Sequence, residues 1–104
     1  MERLCFLIEL EHGAEEEYQR RHDELWPEMR DALKAAGYTN YSLFRRGTTV
    51  IGYAECVPDV ARVLETMAAS PVTPRWNASF QDIIKRMTNE SGQPLRFAEV
   101  WHLD

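Results

Sequence analysis

Leu4, Phe6, Ile8 and Leu10 alternate with Arg3, Cys5, Leu7 and Glu9, and a two-residue period places each set on its own face of a strand running from about Arg3 to Glu11. Two later runs, Tyr38 to Arg46 and Thr48 to Val57, keep the same period and meet at Gly47, which predicts a hairpin centred near Arg46-Gly47. Between the first run and the second the spacing is helical. From about Ala14 to Ala36, Tyr18, His22, Leu25, Met29 and Leu33 form one stripe, Glu16/Arg20 and Glu17/Arg21 stand four apart on the outer face, and Gly37 suits a C-cap. Pro27 falls inside this stretch. Its missing amide proton and its clash with the carbonyl four residues back predict a kink or short break just after His22.

Pro58 suits the first turn of a second helix, with Val60, Val63, Leu64 and Met67 facing inward. Ser70 to Pro74 interrupts it. A third helix is expected from about Thr73 or Pro74 to Met87, with Trp76, Phe80, Ile83, Ile84 and Met87 on its apolar side. Asn89 to Pro94 is a polar loop, and Leu95 to Leu103 returns to strand alternation, with Phe97, Glu99 and Trp101 on one face. The order strand, helix, strand, strand, helix, helix, strand predicts an α+β fold close to the ferredoxin-like split βαβ plan, with an antiparallel sheet. At 104 residues this is one domain, residues 1–104. Helices cover one face of such a sheet, yet the strands carry apolar and aromatic residues on both. A second copy of the chain is the simplest cover, so a homodimer is expected.

A net charge of −5 argues against nucleic acid or an anionic membrane as the main partner, and the basic pairs Arg20-Arg21, Arg45-Arg46 and Lys85-Arg86 are dispersed. No run approaches the ~20 apolar residues of a membrane span, and the chain opens directly into the first strand with no basic-then-hydrophobic leader, so it reads as cytosolic. Cys5 and Cys56 lie in strand-like runs without CxxC spacing and are expected to be reduced core thiols.

Tyr18 and His22, four apart on one helix face, set a phenol beside the side chain that best exchanges protons near neutrality. A core-facing histidine is most often a packed side chain with one hydrogen bond. The phenol one turn earlier changes the weighing, since neither residue type is a preferred filler of a dry core. Tyr41 shares a face with Leu43, where tyrosine is also a good strand former, and Trp76 at a helix start is either a core anchor or a platform for the apolar face of a sugar. His12, His22 and His102 form neither an i,i+4 pair nor an H-E-x-x-H motif, so no metal site is expected. There is no G-x-G-x-x-G, Walker loop or G-x-S-x-G elbow, which removes sequence support for nucleotide cofactors and serine hydrolase chemistry.

Glu17-Tyr18-Gln19-Arg20-Arg21-His22, followed by Trp26-Pro27-Glu28, closely resembles the signature of the L-rhamnose mutarotase family. Asn40-Tyr41, Arg75-Trp76 and Glu99-Val100 extend the likeness over nearly the whole chain. The resemblance implies a dimeric ferredoxin-like α/β barrel and a cofactor-free enzyme that interconverts the α and β anomers of L-rhamnopyranose, a small-molecule sugar. It also implies that His22 is the proton donor and that Tyr18, Tyr41 and Trp76 bind the sugar; the chemistry of opening a pyranose leaves Tyr18 either to orient His22 or to handle the anomeric hydroxyl. Where the family often has a second tryptophan after the first, this chain has Asn77, which offers the substrate an amide in place of an aromatic wall. Two other readings fit parts of the pattern: a cofactor-independent oxygenase on a similar dimeric barrel, and a non-catalytic sugar-binding module.

Overall fold

The computed structural model describes residues 1–104. Its sheet is built around β1 (Glu2–Leu10), which pairs antiparallel with β3 (Thr49–Cys56) so that Leu4 stands opposite Ala54 and Ile8 opposite Val50. β2 (Tyr38–Arg46) flanks β3, and the far edge of β1 is shared by two short strands, β4 (Ile84–Arg86) at Glu9-Leu10 and β5 (Leu95–Phe97) at Cys5 to Leu7. The spatial order is β2-β3-β1-β4, and all pairings are antiparallel. With four helices on one face, this is the α+β architecture expected from the sequence.

The long helical stripe is divided in two. α1 (Glu15–Asp23) and α2 (Pro27–Ala36) are separated by Glu24 to Trp26, and Pro27 occupies the first turn of α2, where its missing N–H has no intrahelical acceptor to lose. Gly37 ends α2 at φ 109°, and a Cβ there would overlap the Val57 carbonyl. α3 (Val60–Ala69) starts two residues later than expected, leaving Pro58 outside it: Asp59 is its N-cap, accepting from the Arg62 N–H at 2.8 Å, while Glu2 of β1 accepts from the Val60 N–H at 2.8 Å.

Two other expectations are corrected. The third helix, α4, spans only Val72–Ala78, and Phe80 to Ile83 continue as turns that keep both apolar residues buried. Ile84 then joins the sheet, because the open edge of β1 offers backbone partners that a longer helix would forgo; Glu11 N–H donates to the Ile83 carbonyl at 2.8 Å. The terminal strand is likewise short, and beyond Phe97 the chain leaves Val100, Trp101 and Leu103 more than 70% exposed. Of the expected helix-surface pairs, Glu17–Arg21 forms at 3.1 Å, while Arg20 bonds Glu17 and Glu24 instead of Glu16. Both cysteines are free thiols; Cys56 is buried and Cys5 is half-buried.

One irregularity in β2 decides what faces the helices. Thr39 pairs with Glu55 and Ser42 with Tyr53, so Asn40 and Tyr41 together stand against the single residue Ala54. This bulge resets the alternation. Tyr38 before it and Tyr41 and Leu43 after it all face inward, although three-residue spacing would put the two tyrosines on opposite faces of a regular strand. Asn40 takes φ 46°, a left-handed conformation that asparagine tolerates better than most residues, and its amide donates to Glu55 Oε1 at 2.7 Å.

The core is split into two apolar clusters. One joins Leu4, Met29, Val60, Val63 and Met67; the other joins Ile8, Leu10, Tyr18, Val50, Phe80 and Ile83. Phe6 and Trp76 pack against both, so the seam between the clusters runs under those two rings.

Candidate active site

A cavity of about 520 Å³ lies along this seam between sheet and helices, within the range of small-molecule sites. Its floor is the Phe6 ring, which lies so close over Gly52 that a Cβ at that position would overlap it. Its walls include Tyr18, His22, Tyr38, Tyr41, Trp76 and Asn77. Every site residue expected from the sequence therefore borders one space.

α1 carries Glu15, Glu16 and Glu17 in its first turn and Arg20, Arg21 and His22 in its last, an order that complements the helix dipole. Tyr18 and His22 lie one turn apart with ring centroids 4.5 Å from each other. His22 Nδ1 is 3.1 Å from the Tyr18 carbonyl oxygen. A carbonyl only accepts, so Nδ1 carries the proton and donates, and Nε2 on the other side of the ring is left without a protein partner. Burial pulls the imidazole pKa below its usual value near 6.5, against the opposite pull of that hydrogen bond and of the Asp23 carboxylate.

Tyr18 is only 4% exposed, and burial pushes its phenol pKa up. Its hydroxyl makes no protein hydrogen bond, yet no polar side-chain atom is both sealed off and unpartnered, so the hydroxyl opens onto the cavity. Tyr41 is 38% exposed over the whole residue, but burial, followed by the neighbouring Tyr38 and Tyr18 phenols, raises its pKa strongly. The two facts agree if the ring carries the exposure and the hydroxyl points inward. Phe6 meets the Tyr41 ring edge-on at 6.2 Å.

The other wall comes from α4 and the turn after it. Trp76 stands 5.6 Å from His22 at 88°, and Phe80 fills the angle between them at 4.6 Å from Trp76 and 5.2 Å from His22. Asn77, the next residue, is exposed at the rim. Two ion-pair contacts hold this wall to the rest of the site. Arg75 pairs with Glu28 of α2, and Arg21 of α1 binds both carboxylate oxygens of Asp82, at 2.9 and 3.0 Å, and the Ser79 carbonyl at 2.6 Å. Hydrogen bonds from Arg20 and Arg21 hold the Glu17 carboxyl down at about 2. The charged residues around the Tyr18-to-His22 motif thus brace the aromatic walls.

Sequence reasoning did not single out Tyr38, Phe6 or Phe80 as part of the site. Asn40 was the available signal for Tyr38, as a left-handed residue type within a strand. Elsewhere, a depression of about 430 Å³ near the outer edge of the sheet is lined by Glu2, Arg3, Arg96, Phe97, Ala98 and Glu99, and contains neither imidazole nor phenol. No group of three His, Cys, Asp or Glu side chains gathers anywhere in a metal-binding arrangement.

The L-rhamnose mutarotase family model matches residues 3–103. The chain belongs to the L-rhamnose mutarotase family. Among the family's members it is 39% identical to the L-rhamnose mutarotase of Listeria monocytogenes, over 99% of each chain. Against the L-rhamnose mutarotase of Lactiplantibacillus plantarum the identity is 41%, over the full length of both. The crystal structure of an L-rhamnose mutarotase from Formosa agariphila superimposes with a TM-score of 0.82 at 28% identity, covering both chains completely. Tetracenomycin F2 cyclase from Streptomyces glaucescens, a type-II polyketide cyclase, shares the fold at a TM-score of 0.64 and 16% identity, over 97% of this chain and 94% of the cyclase.

Proposed function

We propose that this protein interconverts the α and β anomers of L-rhamnopyranose by opening and reclosing the ring, using its own side chains as acid and base and no cofactor. The observation that carries the reading is His22, whose Nε2 has no protein partner, lining a cavity whose phenol hydroxyls have none either. Unpartnered hydroxyl groups beside aromatic faces suit a ligand with polar edges and an apolar face, as a 6-deoxy pyranose has. This favours a sugar over the aromatic substrate of an oxygenase.

In this reading His22, as imidazolium, gives its Nε2 proton to the ring oxygen. The bond from that oxygen to C1 breaks while the anomeric oxygen becomes the carbonyl, and the proton on that oxygen returns to Nε2. Both oxygens are bonded to C1, so one nitrogen serves both, and the imidazolium is restored. Rotation about C1–C2 and the same steps in reverse close the ring on the opposite carbonyl face. Tyr18 hydrogen-bonds the anomeric hydroxyl, Tyr41 and Asn77 bond ring hydroxyls, and Trp76 packs on the apolar face. A positioned acid/base group contributes about 10²–10⁴-fold, enough for a reaction that already proceeds in water.

The working unit in this proposal is a ferredoxin-like domain paired with a second copy through the outer sheet faces, as a dimeric α/β barrel. Support comes from a row of apolar residues crossing four strands on that face, Leu95, Leu7, Ile51 and Phe44, with no helix over it.

Saturation transfer between the α and β anomeric protons of L-rhamnose, read by NMR with and without protein, tests the activity. Exchange accelerated for L-rhamnose and not for D-glucose, and reduced at least 10²-fold by His22→Ala in a folded protein, is the expected result. Sugar binding without faster exchange would make the protein a non-catalytic sugar-binding module.

A further inference from the structure

Tyr38 has no role in the chemistry described so far, yet it stands in the same cavity. Its ring stacks on Tyr41 at 5.1 Å with the planes 27° apart, and its hydroxyl makes no hydrogen bond within the protein. Tyr38 is half-buried and its hydroxyl is not sealed off, so that atom also opens onto the cavity. Burial pushes its pKa up to about 12, which leaves a neutral phenol able to donate and accept at any physiological pH.

The four proton-bearing side chains form a row. His22 touches Tyr18, the Tyr41 hydroxyl is within electrostatic reach of both Tyr18 and Tyr38, and Tyr38 closes the row against the cluster containing Leu33, Leu64 and Met67. His22 packs on Tyr18 and Phe80 of one core cluster and Tyr38 on the other, so the two side chains stand on either side of the seam along which the cavity runs. The bulge at Asn40-Tyr41 is what brings Tyr38 to this face, and both Thr39 Oγ1 and Asn40 Nδ2 bond Glu55 to hold it. Packing alone does not call for a tyrosine here, because a phenylalanine would stack equally well on Tyr41 and leave no hydroxyl needing a partner.

We propose that Tyr38 is a further substrate-binding residue, whose hydroxyl bonds a sugar hydroxyl on the side of the ring remote from C1, at O3 or O4. This rests on reading the cavity as a pyranose site with C1 at His22.

The test compares the unaltered protein with Tyr38→Phe by NMR exchange over a range of L-rhamnose concentrations, and with the 3-deoxy and 4-deoxy analogues. The expected result is a KM raised about 3- to 10-fold by the loss of one hydrogen bond, with the change concentrated in KM and not in kcat. The penalty should vanish with whichever analogue lacks the bonded hydroxyl. Because the hydroxyl has no protein partner, the melting temperature should stay within about 2 °C, which separates binding from a structural role. An active unaltered protein with the same KM as Tyr38→Phe would overturn the proposal while leaving the mutarotase reading intact, as would an equal penalty with all three sugars. An unaltered protein with no activity overturns both.

Discussion

His22 is held between opposing influences. Burial favours the neutral ring, whereas the Tyr18 carbonyl, the Asp23 carboxylate and the C-terminal end of α1 favour imidazolium. Arg45 of β2 lines a second opening that His22 borders, but of the charged neighbours only Asp23 bears on the imidazole. With burial dominant, the folded pKa lies below 6.5 and the proton donor is a minority species at pH 7. The rate should therefore rise as pH falls from 8 and level off only below 6.5, and Asp23→Asn should lower the rate at pH 7 about two- to threefold by moving the midpoint further down. A rate that climbed with pH instead would assign the neutral ring as the active form. The linkage runs the other way for stability: the unfolded chain takes up this proton first, so the contribution present above pH 6.5 is lost as pH falls through the folded pKa. At this scale the sequence was legible where spacing alone decides position, as for Tyr18 and His22. Tyr38 was illegible because a strand's period assigns it to the wrong face.

That failure is a property of the element. A one-residue bulge leaves no mark in apolar alternation, since the runs on either side each look regular. The same holds for α4 and β4: Trp76, Phe80, Ile83 and Ile84 fit a helical stripe, and only the free edge of β1, which no local pattern reports, makes the last of them strand. Pro27 and Gly37 could be read directly because each restricts its own backbone. The bulge makes its own prediction. Asn40→Ala puts a less tolerant residue at φ 46° and removes the bond to Glu55, so urea unfolding should show a loss of about 1–2 kcal/mol, with KM rising as Tyr38 and Tyr41 shift. Asn40→Gly removes the same bond without the backbone strain. It should recover most of the stability, which would attribute the loss to conformation; equal losses in the two variants would attribute it to the hydrogen bond.

For the molecule as a whole, the outer face of the sheet leaves apolar side chains without a cover. Ile51 is 39%, Phe97 46% and Phe44 64% exposed, and the backbone register sets Leu95, Leu7, Ile51 and Phe44 side by side across four strands. A continuous row of this kind differs from scattered surface residues, because a flat partner covers it in one step. No helix of the chain is long and apolar enough to cross a membrane. In the dimer proposed above, a second sheet face of the same shape would cover the row by two-fold symmetry, each copy supplying what the other lacks. Sedimentation equilibrium should then give about twice the 12.1 kDa chain mass at micromolar concentration. Ile51→Lys places a charge at the middle of the row and should yield a monomer that melts lower. The named site residues Tyr18, His22, Tyr38, Tyr41, Trp76 and Asn77 all come from one chain on the opposite, helix-covered face. The monomeric variant should accordingly keep anomer exchange at temperatures where it remains folded. An unaltered chain that sediments as a monomer at tens of micromolar would remove the barrel from the proposal and leave the cavity chemistry standing.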